Sequence, residues 1–224
     1  VKIIGLCGDD DAGNAVAKLL SELPGVQTGL VVDKTRSTSV KTRFVAGNQQ
    51  LLRTDIDDDR LVSDGTVKAL IAATLENLPQ ADALVISDYA KGVLGDDLLA
   101  TVIAAAKDAG VPVVADPKGH DFSRYRGADV LTPNRAELQA ASMLPVGSDE
   151  EAEVAAGQIQ EECGIAAILA TRGPQGMTLM AAETGPLHIA TEAREVFDVS
   201  GAGDTVVAAL AVGLAAGADL GLAS

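Results

Sequence analysis

Short apolar runs rich in branched residues alternate with helix-like segments through most of the chain, and this rhythm limits the fold more than any other feature. The apolar runs predict buried strands at 3–7, 84–86, 111–115, 130–131 and 166–170. Between and after them, apolar residues recur at helical spacing and predict helices over 12–23, 96–109, 134–142, 149–163 and 206–216. Strands that alternate with helices are typical of a mostly parallel sheet covered by helices on both faces. We therefore expect an α/β protein with three layers, α/β/α.

Residues 26–56 depart from this rhythm. They lack helical spacing, and they carry polar–apolar alternation at 28–32, 39–44 and 50–56, which is the pattern of strands with one exposed face. We interpret 26–56 as a small antiparallel flap, or lid, and we expect residues 1–25 and 57–224 to form the α/β core. Exposed edge strands commonly pair with a second copy of the chain, so the flap is also the predicted dimerisation surface.

Composition excludes several classes of partner. The 224 residues carry a formal net charge of −15, so the surface repels nucleic acid and anionic membranes. Trp is absent, so platforms for base stacking are not expected. We find no apolar run long enough to cross a bilayer and no signal peptide, and Cys7 and Cys163 do not make a disulfide framework. A reducing cytoplasm fits best. The sequence begins without Met in a strand pattern and ends soon after an Ala-rich helix, so we expect truncation at both ends.

A glycine-rich turn, Ser-Gly-Ala-Gly-Asp-Thr at 200–205, directly precedes the apolar helix. Glycines at a helix entrance let backbone N–H groups approach an anion, and the helix dipole adds positive charge there. Asp204 places a carboxylate beside that position, although a carboxylate repels phosphate. A base that takes a proton from an attacking hydroxyl would need to stand there. The turn therefore predicts phosphoryl transfer to an alcohol.

Polar residues also follow four of the predicted strands, at 87–92, 116–119, 132–137 and 171–176. Ligands of open parallel sheets bind beyond the carboxyl ends of the strands, which is where these segments lie. Lys118 and Arg172 are candidate cations for phosphate groups. Gly173 and Gly176 permit either a tight turn near a nucleotide or a simple hairpin.

Asn134 and Glu137 lie three residues apart at a predicted helix start, so both project to the same side. Glu137 is a candidate to hold a Mg²⁺-bound water, and Asn134 a candidate to bond a phosphate or substrate oxygen. The same spacing also fits a capping box, in which the two residues only begin the helix. The sequence leaves both interpretations open.

Taken together, these segments resemble the ribokinase-like, or PfkB-type, carbohydrate kinases. The turn at 200–205 is similar to that family's second signature, and Gly-Asp-Asp-Asp-Ala-Gly at 8–13 is a further family feature. Within the family, the chain is most similar to the D-glycero-β-D-manno-heptose 7-phosphate kinases, either stand-alone or fused to an adenylyltransferase. The matching segments run over nearly the whole chain, at 43–44, 48–55, 87–92, 116–128, 131–134 and 171–177.

The resemblance implies a ribokinase-like fold with a β lid, a homodimer through that lid, and use of ATP and Mg²⁺. It implies phosphorylation of the anomeric hydroxyl of heptose 7-phosphate to the 1,7-bisphosphate, on the route to ADP-heptose for lipopolysaccharide. An adenylyltransferase domain in the intact protein is a further implication. The alternatives are another sugar or nucleoside kinase of this fold, or a non-catalytic relative that binds phosphosugar or dimerises. Inactivity of the fragment by itself also stays open.

Roles for individual residues follow from the same resemblance. Asp204 is the expected catalytic base, and the N–H groups of Gly201, Ala202 and Gly203 stabilise charge on the transferring group. The expected ATP and Mg²⁺ site comprises Asn134, Arg135, Ala136, Glu137, Thr171, Arg172, Gly173 and Gly176, with Glu137 also at the metal. The expected substrate residues are Lys118, Arg124, Arg126, Asn48 and Gln50, of which the three cations suit a phosphorylated sugar.

Overall fold

The computed structural model describes residues 1–47, 49–182, 184–191 and 201–224. The chain divides into two compact units. The first comprises Val1–Asn77 and Ala90–Leu98, and the second comprises Leu78–Tyr89 and Leu99–Ser224. The predicted flap, 26–56, lies within the first unit.

The first unit joins a parallel strand pair, an antiparallel hairpin and helices. Its elements are β1 (Lys2–Gly8), α1 (Asp11–Glu22), β2 (Gln27–Asp33), β3 (Val40–Ala46), β4 (Gln49–Ile56) and α2 (Asp64–Asn77). β1 and β2 are parallel over their full length, and α1 supplies the crossover that such pairing needs. The parallel pairing of β2 shows that the prediction of antiparallel strands throughout 26–56 was wrong for β2. Antiparallel pairing is found between β3 and β4. The alternation of a half-exposed strand does not reveal whether its partner runs parallel or antiparallel.

The aspartate-rich motif at the end of β1 forms a compact cluster of hydrogen bonds. Asp10 caps α1 by accepting the Gly13 N–H at 2.8 Å, and it also accepts the backbone N–H and the hydroxyl of Thr38. The hydrogen bonds from Thr38 and Gly13 hold the pKa of Asp10 below its usual range. Gly13 has to be glycine because a Cβ there would overlap the carbonyl oxygen of Gly8. The motif thus fastens the start of α1 to the segment between β2 and β3.

The β3–β4 hairpin presents an apolar face to solvent. Phe44 lies opposite Leu52, and Val40 lies opposite Ile56, so these side chains share one face of the hairpin. Phe44 is 50% exposed, Leu52 55% and Ile56 60%. Exposed apolar groups on a two-stranded ribbon are typical of a surface that binds a partner.

The second unit is built on a mixed sheet. Its strands are β5 (Leu84–Ser87), β6 (Val113–Asp116), β7 (Val130–Leu131), β8 (Ala167–Thr171), β9 (Met177–Ala181) and β10 (Gly185–Ile189). Across the sheet the order is β10-β9-β8-β7-β6-β5. β5 to β8 are parallel, as the sequence predicted, and β9 and β10 extend the sheet as antiparallel strands. The second unit also holds α4 (Arg135–Ser142), α5 (Asp149–Cys163), α6 (Ala202–Ala215) and α7 (Leu220–Ala223), whereas α3 (Asp96–Asp108) begins in the first unit.

Helices cover both faces of this sheet. Leu169 and Leu179 pack in one cluster with Val207 and Leu210 of α6. Ile168 and its alternate neighbours on β8 point to the opposite face, and both α4 and α5 contact this strand. β8 is buried almost throughout, which explains its continuous apolar sequence. Within the described residues, no helix combines the length and the apolar character needed to cross a membrane.

Candidate active site

The carboxyl ends of the parallel strands and the start of α6 enclose a cavity of about 190 Å³ in the second unit. The residues that line it lie at or just after the ends of strands, in the first turn of α4, or at the entrance of α6. These residues are Tyr89, Asp116, Lys118, Asn134, Glu137, Thr171, Gly201, Gly203 and Asp204. The cavity therefore lies at the edge of the sheet where the sequence predicted a ligand site.

The entrance of α6 brings Asp204 and backbone N–H groups together. Gly201 precedes the helix with φ of 78°, a left-handed conformation that favours glycine, and it offers no side chain to cap the helix. The N–H groups of the first helical turn have no intrahelical partner, so they are available to an anion. The hydroxyl of Tyr89 lies 3.5 Å from Oδ1 of Asp204. Ser200, the first residue of the predicted signature, lies outside the described residues.

Asn134 and Glu137 form the capping box that was one of the two interpretations of their spacing, and they also line the cavity. Oδ1 of Asn134 accepts the N–H groups of Ala136 and Glu137, and Oε2 of Glu137 accepts the Asn134 N–H at 2.8 Å. Oε1 of Glu137 accepts a hydrogen bond from Nζ of Lys118 at 2.5 Å. The two interpretations are therefore compatible, because the box fixes side chains that the cavity presents.

Carboxylates dominate the electrostatics of the cavity. Burial raises the pKa of Asp116 to about 6, with Glu137 and Asp204 adding to the rise and Lys118 opposing it. Burial disfavours the charge of Lys118, but the hydrogen bond with Glu137 and the Asp116 carboxylate leave the pKa of Lys118 raised. Nζ of Lys118 lies 3.8 Å from Oδ2 of Asp116. The site thus holds one ammonium among three acids.

The acidic lining fits a magnesium ion that arrives with a nucleotide. Mg²⁺ prefers oxygen ligands and is commonly held by one or two carboxylates together with phosphates and waters. Glu137, the predicted metal residue, and Asp116 are such donors, and burial favours neutralisation of Asp116. No group of three or more acidic, His or Cys side chains within the described residues is arranged to hold a metal alone. The donor set therefore suits a shared ion rather than an all-protein cage.

Of the predicted phosphate-binding cations, only Lys118 lines the cavity. Arg124 lies 3.6 Å from Asp88 and 5.8 Å from the centre of the Tyr125 ring. Arg126 donates to the carbonyl of Glu162, so it contacts the C-terminal end of α5. The roles of Arg124 and Arg126 in substrate binding stay predictions.

The loop after β8 is a tight connection to β9, as the hairpin alternative required. Thr171 lines the cavity, whereas the guanidinium of Arg172 is buried and pairs with Asp149 at the start of α5. Gly173 and Gly176 both have positive φ, 60° and 81°. A Cβ on Gly176 would overlap the carbonyl oxygen of Ile189, so this glycine allows a close approach of two backbones.

The remaining predicted residues lie at several places. Arg135 and Ala136 form the exposed first turn of α4, and Ala202 is the first residue of α6. Gln50 lies on β4 in the first unit, in register with Val45. Asn48 lies outside the described residues.

Sequence reasoning gave no role to Tyr89 or Asp116, although both lie in segments that follow predicted strands. Tyr89 follows β5, and Asp116 is the last residue of β6. Their positions at the carboxyl edge were the available signal, because every polar residue there is a candidate.

Comparison with known proteins identifies the family. The sequence matches the pfkB family of carbohydrate kinases over residues 1–223. Bifunctional protein HldE of Rhodospirillum rubrum is 47% identical over 220 residues, which make up 98% of this chain and 44% of the relative. The chain thus spans less than half the length of that relative.

Solved structures share the fold at lower identity. Ribokinase of Arabidopsis thaliana, complexed with ribose and ATP, matches with a TM-score of 0.73 and 22% identity, covering 99% of this chain and 71% of that one. Phosphofructokinase-2 of Escherichia coli, in complex with potassium, matches with a TM-score of 0.80 and 23% identity over the same shares. Both likenesses confirm the predicted ribokinase-like α/β fold. With the family match over nearly all its residues, the chain belongs to the pfkB family of carbohydrate kinases.

Proposed function

We propose that this chain is the kinase part of an enzyme that uses ATP to phosphorylate the anomeric hydroxyl of D-glycero-β-D-manno-heptose 7-phosphate, giving the 1,7-bisphosphate. The observation that carries the proposal is the entrance of α6, where Asp204 stands beside glycine N–H groups in the same cavity as Lys118 and Glu137. A base beside an anion-binding turn is what transfer of a phosphoryl group to an alcohol requires.

Asp204 acts as the base in this proposal. An alcohol is too weakly acidic to ionise beforehand, so Asp204 takes the proton while the new oxygen–phosphorus bond forms and the bond from the transferred phosphorus to the leaving ADP breaks. The N–H groups of Gly201, Ala202 and Gly203 stabilise the negative charge on the transferring group. Glu137 and Asp116 are the residues that would hold Mg²⁺, which would supply positive charge to the phosphate oxygens.

A phosphorylated heptose is the proposed acceptor because of the relatives and the cations. The relatives at 43–48% identity are named Bifunctional protein HldE. Lys118 places an ammonium in the cavity. Arg124 is next to Tyr125 in the sequence, and the Tyr125 hydroxyl accepts a hydrogen bond from the backbone N–H of Lys118. We assign the product to the route toward ADP-heptose in the cytoplasm, and we propose that the intact protein also carries an adenylyltransferase domain.

The proposed lid is the β3–β4 hairpin, and we propose that it also forms a homodimer interface. Its apolar face, with Phe44 and Leu52 opposite each other, is half exposed in one copy of the chain. A second copy would bury this face and remove an unpaired ribbon.

The deciding experiment measures ATP consumption by the full-length gene product with heptose 7-phosphate, ribose, fructose 6-phosphate or adenosine as acceptor. We expect turnover with the heptose alone. Asp204→Asn should lower kcat by about a thousandfold or more while substrate still binds, because the base acts only in the transition state. Asp108→Asn, at the exposed end of α3, is the matched control and should keep normal turnover.

Each other outcome has a definite meaning. Turnover with a different acceptor would retain the base and reject the heptose. Near-normal turnover of Asp204→Asn would reject Asp204 as the base. No turnover with any acceptor would favour a phosphosugar-binding or dimerisation module.

A further inference from the structure

We propose that Lys118 is a tethered counter-ion: without nucleotide, its ammonium occupies the position on Glu137 that the magnesium ion of the nucleotide needs. Lys118 thereby weakens metal binding until nucleotide arrives. This inference rests on the proposed kinase function, and it concerns the order in which the site is filled.

The geometry of Glu137 makes the position specific. Its Oε2 accepts the backbone N–H of Asn134, so the start of α4 fixes the direction of the carboxylate. Its Oε1 contacts Nζ of Lys118 at 2.5 Å. Oε1 is therefore the Glu137 oxygen that the capping box does not use, and Lys118 occupies it.

The charges of the cavity explain why a cation is needed there. Asp116, Glu137 and Asp204 line it, and Lys118 is the one cation among the described lining residues. Nζ of Lys118 also lies within 3.8 Å of Asp116, so it bridges two of the three acids. A divalent cation at the same oxygen would repel the ammonium strongly in this partly buried site. The two cations therefore compete.

Lys118 can leave without any change of the backbone. The backbone N–H of Lys118 donates to the hydroxyl of Tyr125 at 3.2 Å. Tyr125 is fully buried, and its hydroxyl donates to Asp88 at 2.6 Å. The side chain itself is 30% exposed and flexible, so rotation about its own bonds moves the ammonium. Once displaced, the ammonium no longer occupies Oε1 of Glu137, so the metal and the nucleotide can bind there together.

The test measures Mn²⁺ binding to the full-length protein without nucleotide, from the electron paramagnetic resonance signal of free Mn²⁺. Lys118→Met should lower the Mn²⁺ Kd by about tenfold or more, because the competing charge is gone. Lys118→Arg should stay within about threefold of wild type, because the charge remains. Lys107→Met, on the exposed side of α3, makes the same change in net charge and should have no effect.

A second pair of variants locates the effect. Glu137→Gln in the Lys118→Met background should abolish the gain in Mn²⁺ affinity. Lys118→Gln repeats the test in case the Met variant does not fold, as judged by circular dichroism. Equal Kd values for wild type and both Lys118 variants would overturn the inference, and so would a gain that survives Glu137→Gln. Because Mn²⁺ binding is read without turnover, failure of the kinase assay is a separate result that rejects the proposed function instead.

Discussion

Asp116 binds a proton more tightly in the folded chain than a carboxyl group does in water. Its pKa is raised to about 6 from 3.8, first by burial and then by Glu137 and Asp204. Between these two values the folded state keeps a proton that the unfolded state has lost. The stability that this proton contributes is present at low pH and is lost as the pH rises through 6. At neutral pH the ionised Asp116 therefore destabilises the fold.

The substitution Asp116→Asn tests whether the ionised Asp116 carboxylate destabilises the fold. We expect the free energy of unfolding to rise by about 1–2 kcal/mol at pH 7.5, and not at pH 4, because only the ionised carboxylate is unfavourable. Urea unfolding in the presence of EDTA measures the free energy of unfolding at both pH values. Asp108→Asn is the exposed control. An equal gain at both pH values would show that ionisation of Asp116 is not the cause.

The residues of the cavity were predictable to different degrees. Glu137 and Lys118 could be found because each lies in a polar segment that follows a strand pattern. Asp204 could be found because it lies in the glycine-rich turn before an apolar helix. The shared role of Glu137, in a capping box and in the cavity, could not be decided from spacing. Its contact with Lys118 joins residues 19 positions apart, and such contacts depend on how the strands are ordered in the sheet.

At the scale of elements, the connection from β8 to β9 tests how strongly one glycine holds the sheet edge. Gly176→Ala should destabilise the protein by about 3 kcal/mol or more, because the new Cβ meets the Ile189 carbonyl and φ is positive. Ile189 is paired with Met177 in the β9–β10 ladder, so it cannot easily move. Thermal and urea unfolding measure the loss.

Gly173→Ala is the matched control in the same loop. Gly173 also has positive φ, but a Cβ there meets nothing within 4 Å. The expected loss is therefore about 1 kcal/mol, from backbone strain alone. Equal losses for the two variants would mean that the close approach of Gly176 to Ile189 is unimportant.

Most elements were predictable, and the errors have physical causes. The helix at 149–163 was predicted with the bounds that α5 has, because Ser148 and Gly164 mark its ends. β9 and β10 were missed, since a short edge hairpin has little apolar alternation. α2 was missed as well. The pairing of β2 was assigned wrongly because local sequence does not identify the partner of a strand.

At the scale of the whole molecule, the hairpin face predicts a dimer that one charge disrupts. Phe44→Glu should convert a dimer to a monomer in sedimentation velocity, because it places a charge opposite Leu52 on the apolar face. Arg43→Gln, on the other face of β3, should leave the dimer intact. A monomeric wild type, or a dimer that survives Phe44→Glu, would contradict the proposed interface.

The start of α6 has a consequence beyond the proposed catalysis. α1, α4, α5 and α7 each begin with a side chain that accepts an N–H of the first turn, whereas α6 begins at Gly201, which has none. An anion bound there, as the proposed function requires, would complete the helix in place of a residue and by mass action would favour the folded state. The survival of the protein would then follow the supply of its own ligand. If the proposed nucleotide binds at the start of α6, added ATP should slow proteolysis of the protein.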